Sequence, residues 1–332
     1  MRTDRDPPVT TPRVSLLAST YRSERFLPAW MQCMAAQTIW SQTELVVIAN
    51  DPQPREDALL DEFARAHRQV KLTRVPREHI SASLNRALEL STAPLIAMGN
   101  VDDLRTSTSL EAQVEALEAN QDALFCYGTF TVTYKFPPEA LDSNVVRVPE
   151  PGDEEFTRSM LLGPFYAWRR TEDPATKFFD QQLRVGADFD LAIRLALRGS
   201  GVKIADNLGF YYNGGTGLST SGGRQSIERT VLELRYGIYD KIDYSLVPRA
   251  AEYVIPAILL PDQTWLPMTE IVAGYEQFLE QRRDRWADRG LRRWASSEGR
   301  LQRLATRIRR TATPLLRTAL AAYRGAIKSA RE

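Results

Sequence analysis

Asp102 and Asp103 close a short apolar run, Leu95-Ile-Ala-Met-Gly-Asn-Val-Asp-Asp-Leu-Arg105. Apolar runs of strand length are buried, so two adjacent carboxylates emerge together at the lip of a core strand. Like charges placed this way repel each other and lose hydration, which favours a cation shared between them. No His or Cys stands nearby, and oxygen ligands alone point to a hard ion, Mg²⁺ or Mn²⁺, of the kind that accompanies a phosphate. The same residues also read as a turn and as the cap of a helix beginning near Ser107 or Ser109. Two earlier apolar runs end in the same way, in Ser19-Thr20-Tyr21-Arg22 and in Asn50-Asp51. Each alone passes for turn chemistry. Three at successive strand ends suit a base, a ribose and a metal-bridged pyrophosphate, because open α/β sheets bind ligands at that edge. No G-x-G-x-x-G and no Walker sequence follows the first strand, so a glycine-rich loop does not hold the phosphates.

A second acidic group, Gly186-Ala-Asp-Phe-Asp190, opens a helix. Asp188 and Asp190 fall in its first turn, where the positive end of the helix dipole favours anions. Capping and accepting a proton are compatible roles for Asp188. Between the two groups, Gly163-Pro-Phe-Tyr-Ala-Trp-Arg-Arg170 sets aromatics beside arginines. Trp168 and Arg169 there suit stacking on a sugar and gripping a phosphate, and Trp168 and Tyr166 suit a core equally well.

Alternating elements position these residues. Strands are expected over 14–18, 44–49, 70–75 and from 95, with helices from about Ser23, over 57–67 and over 81–90. Strand and helix in strict alternation indicate a parallel sheet with helices on both faces. Residues 122–134 alternate as strands of a mixed sheet, and 136–155, rich in Pro, Glu and Asp, read as a loop or lid. Further helical patterns cover 226–241 and 268–285.

VSLLASTYR at 14–22, LVVIANDP at 45–52, ASLNRAL at 82–88, LIAMGNVDDL at 95–104 and GADFDLAIRLALRG at 186–199 together resemble glycosyltransferase family 2 in order and spacing. The resemblance covers roughly 13–220. It implies an inverting GT-A enzyme, α/β, with a Rossmann-like mixed and mainly parallel sheet. It implies that Ser19, Tyr21 and Asp51 surround the nucleotide base and that Asn85 helps order the nucleotide pocket. Asp102 then coordinates the metal and Asp188 is the general base. Asn100 stands where the family has the first Asp of its Asp-x-Asp, and an amide brings hydrogen bonds without charge. His79 precedes ASLN, where relatives carry a base-contacting side chain. Asp103, Trp168, Arg169 and Asp190 are left to the donor sugar or the acceptor, with Asp190 the alternate base. Ala187 replaces the acid that usually precedes the base. The glycine-rich stretch 211–220 falls where relatives close over the donor phosphates, with Asn213 and no His. The expected organisation is a disordered N-terminus (1–12), a GT-A domain (13–245) and a helical extension (246–332).

The chain has 332 residues, 43% of them hydrophobic, and a net charge of +1. Those values exclude disordered and fibrous classes. The charge is unevenly spread: from Gln281 onward 15 Lys or Arg face 4 Asp or Glu, a local +11 against −10 for the rest. Trp286, Trp294, Leu301, Leu304 and Leu315 lie among those arginines, an amphipathic composition that suits an anionic membrane surface. Nucleic acid or a second subunit are competing partners, and nucleic acid is not favoured. Cys33 and Cys126 lack metal-ligand spacing and suit the core of a protein in a reducing compartment. No apolar signal segment or membrane-length run occurs, so the expected place is the cytoplasm, peripheral at the inner face of the plasma membrane. The leading expectation is transfer of a sugar from a nucleoside-diphosphate sugar, UDP-sugar favoured, to a saccharide or lipid-linked acceptor. A nucleotidyltransferase, or a non-catalytic sugar- or nucleic-acid-binding protein with a degenerate site, are the alternatives.

Overall fold

The structure is a computed structural model that describes residues 11–138, 143–146, 162–214 and 223–283, with only the backbone path for 143–146. Most of the expected loop or lid (136–155), which holds a strand at 143–146, most of the glycine-rich stretch 211–220, the first ten residues and the basic tail from 284 lie outside the described residues.

Four strands, β1 (Val14–Thr20), β2 (Thr43–Asn50), β3 (Val70–Val75) and β4 (Leu95–Met98), run parallel in the order β3-β2-β1-β4. β1, β2 and β4 are buried almost throughout, which is why they read as unbroken apolar runs rather than alternating ones. Helices α1 (Leu27–Ala35), α2 (Pro54–Ala66) and α3 (Ile80–Leu90) connect them. The chain advances from β1 to β3 in one direction and returns to β4 in the other. Right-handed crossovers therefore put α1 and α2 on one face and α3 on the opposite one.

Beyond β4 the sheet becomes mixed, continuing β8-β6-β9-β5. Its strands are β5 (Leu104–Arg105), β6 (Ala123–Thr133), β8 (Ala167–Arg169) and β9 (Ser200–Tyr212), with β7 (Ser143–Val146) paired to β6. β4 with β8, β6 with β8 and β5 with β9 pair antiparallel, whereas β6 with β9 is parallel with register shifts. Helix α4 (Ser109–Ala119) and the short α5 (Pro174–Lys177) precede α6 (Ala187–Arg198), which packs against β6 and α3.

Helix α7 (Arg224–Arg235) ends sooner than its apolar pattern suggested, because Gly237 turns the chain at φ +69°. Residues 246–283 contain helices α8 (Val247–Ala250) and α9 (Met268–Ile271) and also a β-hairpin, β10 (Ala257–Leu259) with β11 (Trp265–Pro267). The helix expected over 268–285 is divided at Gly274, whose φ of +61° no helix accommodates. This segment is tied to the main sheet domain by a buried ionic cluster. Arg235 of α7 pairs with Asp180 at 2.9 Å and with Asp190 of α6 at 2.7 Å, and donates to the carbonyls of Val254, Ile255 and Ala257.

Candidate active site

The parallel strands deliver their polar ends to one edge. Ser19 lies half-buried near the end of β1 and accepts a hydrogen bond at 3.0 Å from Asn50 at the end of β2. Asn50 is itself buried and also donates to Ser83 of α3 and accepts from the Glu78 amide. It thus locks β1, β2 and the entry to α3 together. Just beyond the strands, Arg22 and Asp51 hold left-handed backbone at φ +51° and +41°. Non-glycine residues in this region are uncommon and concentrate at functional sites. The Tyr21 ring is half-buried and covered by the Arg77 guanidinium at 4.3 Å. His79 is the N-cap residue of α3, with Nδ1 3.0 Å from the Ser81 hydroxyl. Burial and the neighbouring Arg184 push its pKa below the ordinary value, so the imidazole is neutral at pH 7.

The acidic turn after β4 depends on Gly99. A Cβ there would stand 2.8 Å from Leu16 Cγ and 3.0 Å from the Leu17 carbonyl oxygen, so only glycine lets β4 end against β1. Asn100 donates to Asp103 Oδ2 at 3.0 Å, and the Tyr212 amide donates to Asp103 Oδ1 at 3.1 Å. From behind, the buried Arg105 grips the Met98 carbonyl (2.6 Å), Ser109 and Gln113. Burial lowers its guanidinium pKa to about 10, which leaves it charged. Asp102 is half-buried and has no side-chain donor among the described residues, and it feels the charge of Arg25. Burial pushes both carboxyls above their usual range, and for Asp103 the charge of Asp102 adds to the effect.

That arrangement fits a divalent cation. Two carboxylates with raised proton affinity at one turn favour a positive charge beside them. Among the described residues no group of three His, Cys, Asp or Glu converges. An ion held by Asp102 would therefore complete its shell with phosphate oxygens and water, as Mg²⁺ commonly does.

Asp188 is tied to the same edge through its backbone. The Met98 amide, at the end of β4, donates to the Tyr166 carbonyl, and the Tyr166 hydroxyl donates to the Asp188 carbonyl at 3.3 Å. One residue thus joins the end of β4 to the first turn of α6. Asp188 Oδ1 accepts the Phe189 amide at 2.8 Å. Burial raises the Asp188 carboxyl to about 6, with backbone donors opposing and the charge of Glu228 assisting.

Five expected site residues have other work. Asn85 spends both polar groups on the Phe179 backbone, donating to its carbonyl and accepting its amide, each at 2.8 Å. It can order a nucleotide pocket only indirectly, by fixing the 178–183 segment. Trp168 is 1% exposed, stacked on Tyr166 and paired in the sheet opposite Ile96, so it is core rather than a sugar platform. Arg169 donates to the carbonyls of Leu117, Asn120 and Ala123, closing the C-terminal end of α4. It lies opposite Leu95, at the end of β4 away from the acidic turn. Asp190 is fully buried and accepts from Arg194, Arg235 and the Tyr236 hydroxyl, all at 2.7 Å, which removes it from sugar contact and from proton transfer. Asp103 turns inward, holding Asn100 and the Tyr212 amide as given above, so it shapes the turn instead of meeting a sugar.

Arg105 and Glu228 are positions the sequence did not single out. Glu228 of α7 is fully buried, and its carboxylate accepts the amides of Arg184, Val185 and Gly186 at 2.7 to 3.1 Å. Its only sequence signal is an acid on the otherwise apolar side of a helix, next to Ile227 and one turn before Val231 and Leu232.

The glycosyl transferase family 2 model matches residues 15–180, half of the chain. The chain belongs to that family, a family of sugar-transferring enzymes. A putative glycosyltransferase of Bacillus subtilis (strain 168), EpsH, is 18% identical over 163 residues, which are 48% of this chain and 46% of that relative. The match therefore spans less than half of the relative's length. S. aureus TarS 1–349 in complex with UDP-GlcNAc superposes with a TM-score of 0.57 at 13% identity, covering 96% of this chain and 91% of that one. Another structure of S. aureus TarS gives 0.52 at 13% identity over 73% of this chain and 43% of that one. These likenesses establish the GT-A fold, a mixed sheet between helices with a helical C-terminal part.

Proposed function

We propose that the protein transfers a sugar from a nucleoside diphosphate sugar to a hydroxyl of a saccharide or lipid-linked acceptor, with inversion. The observation that carries this reading is the meeting, at one sheet edge, of a paired acidic turn and a separate carboxyl raised to about 6. Tyr21, Asp51 and the Ser19–Asn50 pair would line the base and ribose side, with Asn100 offering hydrogen bonds from the acidic turn. TarS bound to UDP-GlcNAc supports a uridine donor. When present, Mg²⁺ or Mn²⁺ at Asp102 would offset the charge that grows on the departing diphosphate. Asp188 accepts the proton of the acceptor hydroxyl as its oxygen bonds to the anomeric carbon. The bond from that carbon to the phosphate oxygen breaks and its electron pair leaves with the diphosphate. Neutral His79 beside the base side adds a hydrogen bond without a charge.

No helix among the described residues is long and apolar enough to cross a membrane. The basic segment 284–332 carries the proposed membrane contact, at the cytoplasmic face. Turnover of UDP-, GDP- and dTDP-sugars should be followed with and without acceptor, in EDTA and after adding Mn²⁺ or Mg²⁺. The expected result is consumption of UDP-sugar that EDTA abolishes and the ion restores. Full turnover in EDTA removes the metal, and no consumption of any donor removes the transferase reading. Asp102→Ala should lose at least about a hundredfold in rate, the order for removing charge stabilisation of a leaving group.

A further inference from the structure

Helix α6 begins without the cap its sequence would ordinarily supply. Its N-cap residue is Gly186, and no side chain of the helix itself satisfies the amides that precede the first turn. Those amides are instead taken by one carboxylate from another element. Glu228 Oε2 accepts the Arg184 amide at 3.0 Å, the Val185 amide at 2.7 Å and the Gly186 amide at 2.9 Å. Oε1 accepts the Arg184 amide at 3.1 Å and the Tyr253 hydroxyl at 3.1 Å. Three consecutive donors converging on one fully buried anion fix the backbone angles of the turn they belong to. Asp188 is the second residue after that turn. At Gly186 the start of α6 lies against α7, an added Cβ standing 3.4 Å from Leu232 and 3.7 Å from Glu228.

We infer that Glu228 is a positioning residue for the transfer reaction, holding the first turn of α6 so that the Asp188 carboxylate points to the acceptor hydroxyl. This rests on Asp188 being the base, as proposed above. Glu228 touches no reacting atom. It acts through the 184–186 backbone, and it lies outside the segment matched by the family. It also sets the charge around Asp188. The charge acting on that carboxyl is Glu228 from α7; the Tyr166 hydroxyl, from beside β8, meets the Asp188 backbone carbonyl, and Asp190 and Arg194 of α6 act on that hydroxyl. His79 and Arg184 lie beyond, close to Glu228 and to each other. The negative charge of Glu228 favours the protonated form of Asp188.

The test uses the full chain with Glu228→Gln, which keeps the shape but removes the charge and turns an NH₂ toward backbone donors, and Glu228→Asp, which keeps the charge on a shorter stem. Glu228→Gln should lower kcat at least tenfold with donor KM within twofold of wild type, and Glu228→Asp should recover part of that loss. An equal rise in KM, or wild-type kcat in Glu228→Gln, overturns the proposal. An arm independent of turnover follows the Asp188 carboxyl by carbon NMR with labelled aspartate, the signal assigned by its absence in Asp188→Asn. Its midpoint should fall from about 6 in wild type to a lower pH in Glu228→Gln, while amide exchange at 184–189 accelerates at least tenfold. An unchanged midpoint with unchanged exchange overturns the proposal even if kcat falls. Should Asp188→Asn transfer sugar at the wild-type rate, the base assignment fails, and the NMR arm still decides whether Glu228 holds Asp188.

Discussion

Asp188 and Asp190 sit two positions apart in one helical turn and do opposite things. Asp188 has one strong backbone donor and a raised proton affinity, whereas Asp190 is also desolvated but is held below the usual carboxylate value by Arg194 and Arg235. A general base works best when its pKa lies near the working pH. Asp188→Asn keeps the Phe189 hydrogen bond, so fold and donor affinity should survive while transfer falls on the order of a hundredfold or more. A wild-type rate in that variant refutes the base. The pH dependence follows from the raised value: as pH falls through about 6 the base becomes protonated, so kcat should fall there along an acid limb. The sign for stability is the reverse. The folded state binds the Asp188 proton more tightly than the unfolded chain, so this group's contribution is full below the unfolded pKa and is lost as pH rises through about 6. At pH 8 Asp188→Asn should therefore raise the thermal midpoint, by about 1–3 °C. A lower midpoint would show the carboxylate to be stabilising after all. The types and spacing of the residues disclosed the acids, but they could not assign the two roles. Arg235, which commits Asp190, lies 45 positions away on a different helix.

The parallel half of the sheet was legible because β1, β2 and β4 are buried on both faces, the edge strand β3 alternates, and each crossover helix carries its own apolar stripe. The edge that carries the candidate site followed from that order alone. Of the mixed half only β6 was legible, within the residues 122–134 expected as strands. β9 reads Ser-Gly-Val-Lys-Ile-Ala-Asp-Asn-Leu-Gly-Phe-Tyr-Tyr, and its register shifts against β6 break the alternation that marks a strand. Gly209 within it is needed because a Cβ would approach the Leu104 carbonyl oxygen to 2.5 Å, where β5 closes the sheet beside the acidic turn. The β10–β11 hairpin is three residues per strand, too short to show a period. Elements 180–194, 235–236 and 254–259 are joined instead by the Asp180, Asp190, Arg194, Arg235 and Tyr236 cluster, all buried. Removing one partner from such a cluster leaves an unpaired buried charge and costs about 3–5 kcal/mol. Asp190→Ala should thus lower stability by that order in denaturant unfolding, with any loss of activity following the loss of folded protein. If Asp190→Ala unfolds like wild type and yet abolishes transfer, Asp190 belongs to the chemistry and its present assignment is wrong.

Charge divides the whole molecule into a body of −10 and a tail, from Gln281, of +11. An anionic membrane repels the first and attracts the second, so the two together would orient the chain with its tail to the surface. The attraction extends only about 8 Å at physiological ionic strength, which confines it to residues that reach the headgroups. Each Lys or Arg that does so contributes about 1 kcal/mol, and Trp286, Trp294 and the leucines between the arginines add apolar insertion that salt does not screen. Residues 284–332 lie outside the described part, so this expectation rests on the sequence. The acidic body offers the tail a competing partner in the same chain, and that contact would weaken in salt just as membrane binding does. Lipid composition separates the two, since an internal contact is indifferent to it. Full-length protein should sediment with vesicles containing anionic lipid and not with neutral ones, and be released as salt is raised. The chain truncated after residue 283 should stay in solution with either. Truncation should leave hydrolysis of a soluble donor at the wild-type rate, because Asp102, Asp188 and Glu228 all belong to the retained part. It should lower transfer to a lipid-linked acceptor, whose local concentration the tail no longer raises. Equal sedimentation with neutral and anionic vesicles would remove the electrostatic attachment, and undiminished transfer to a lipid-linked acceptor after truncation would remove the tail from acceptor delivery.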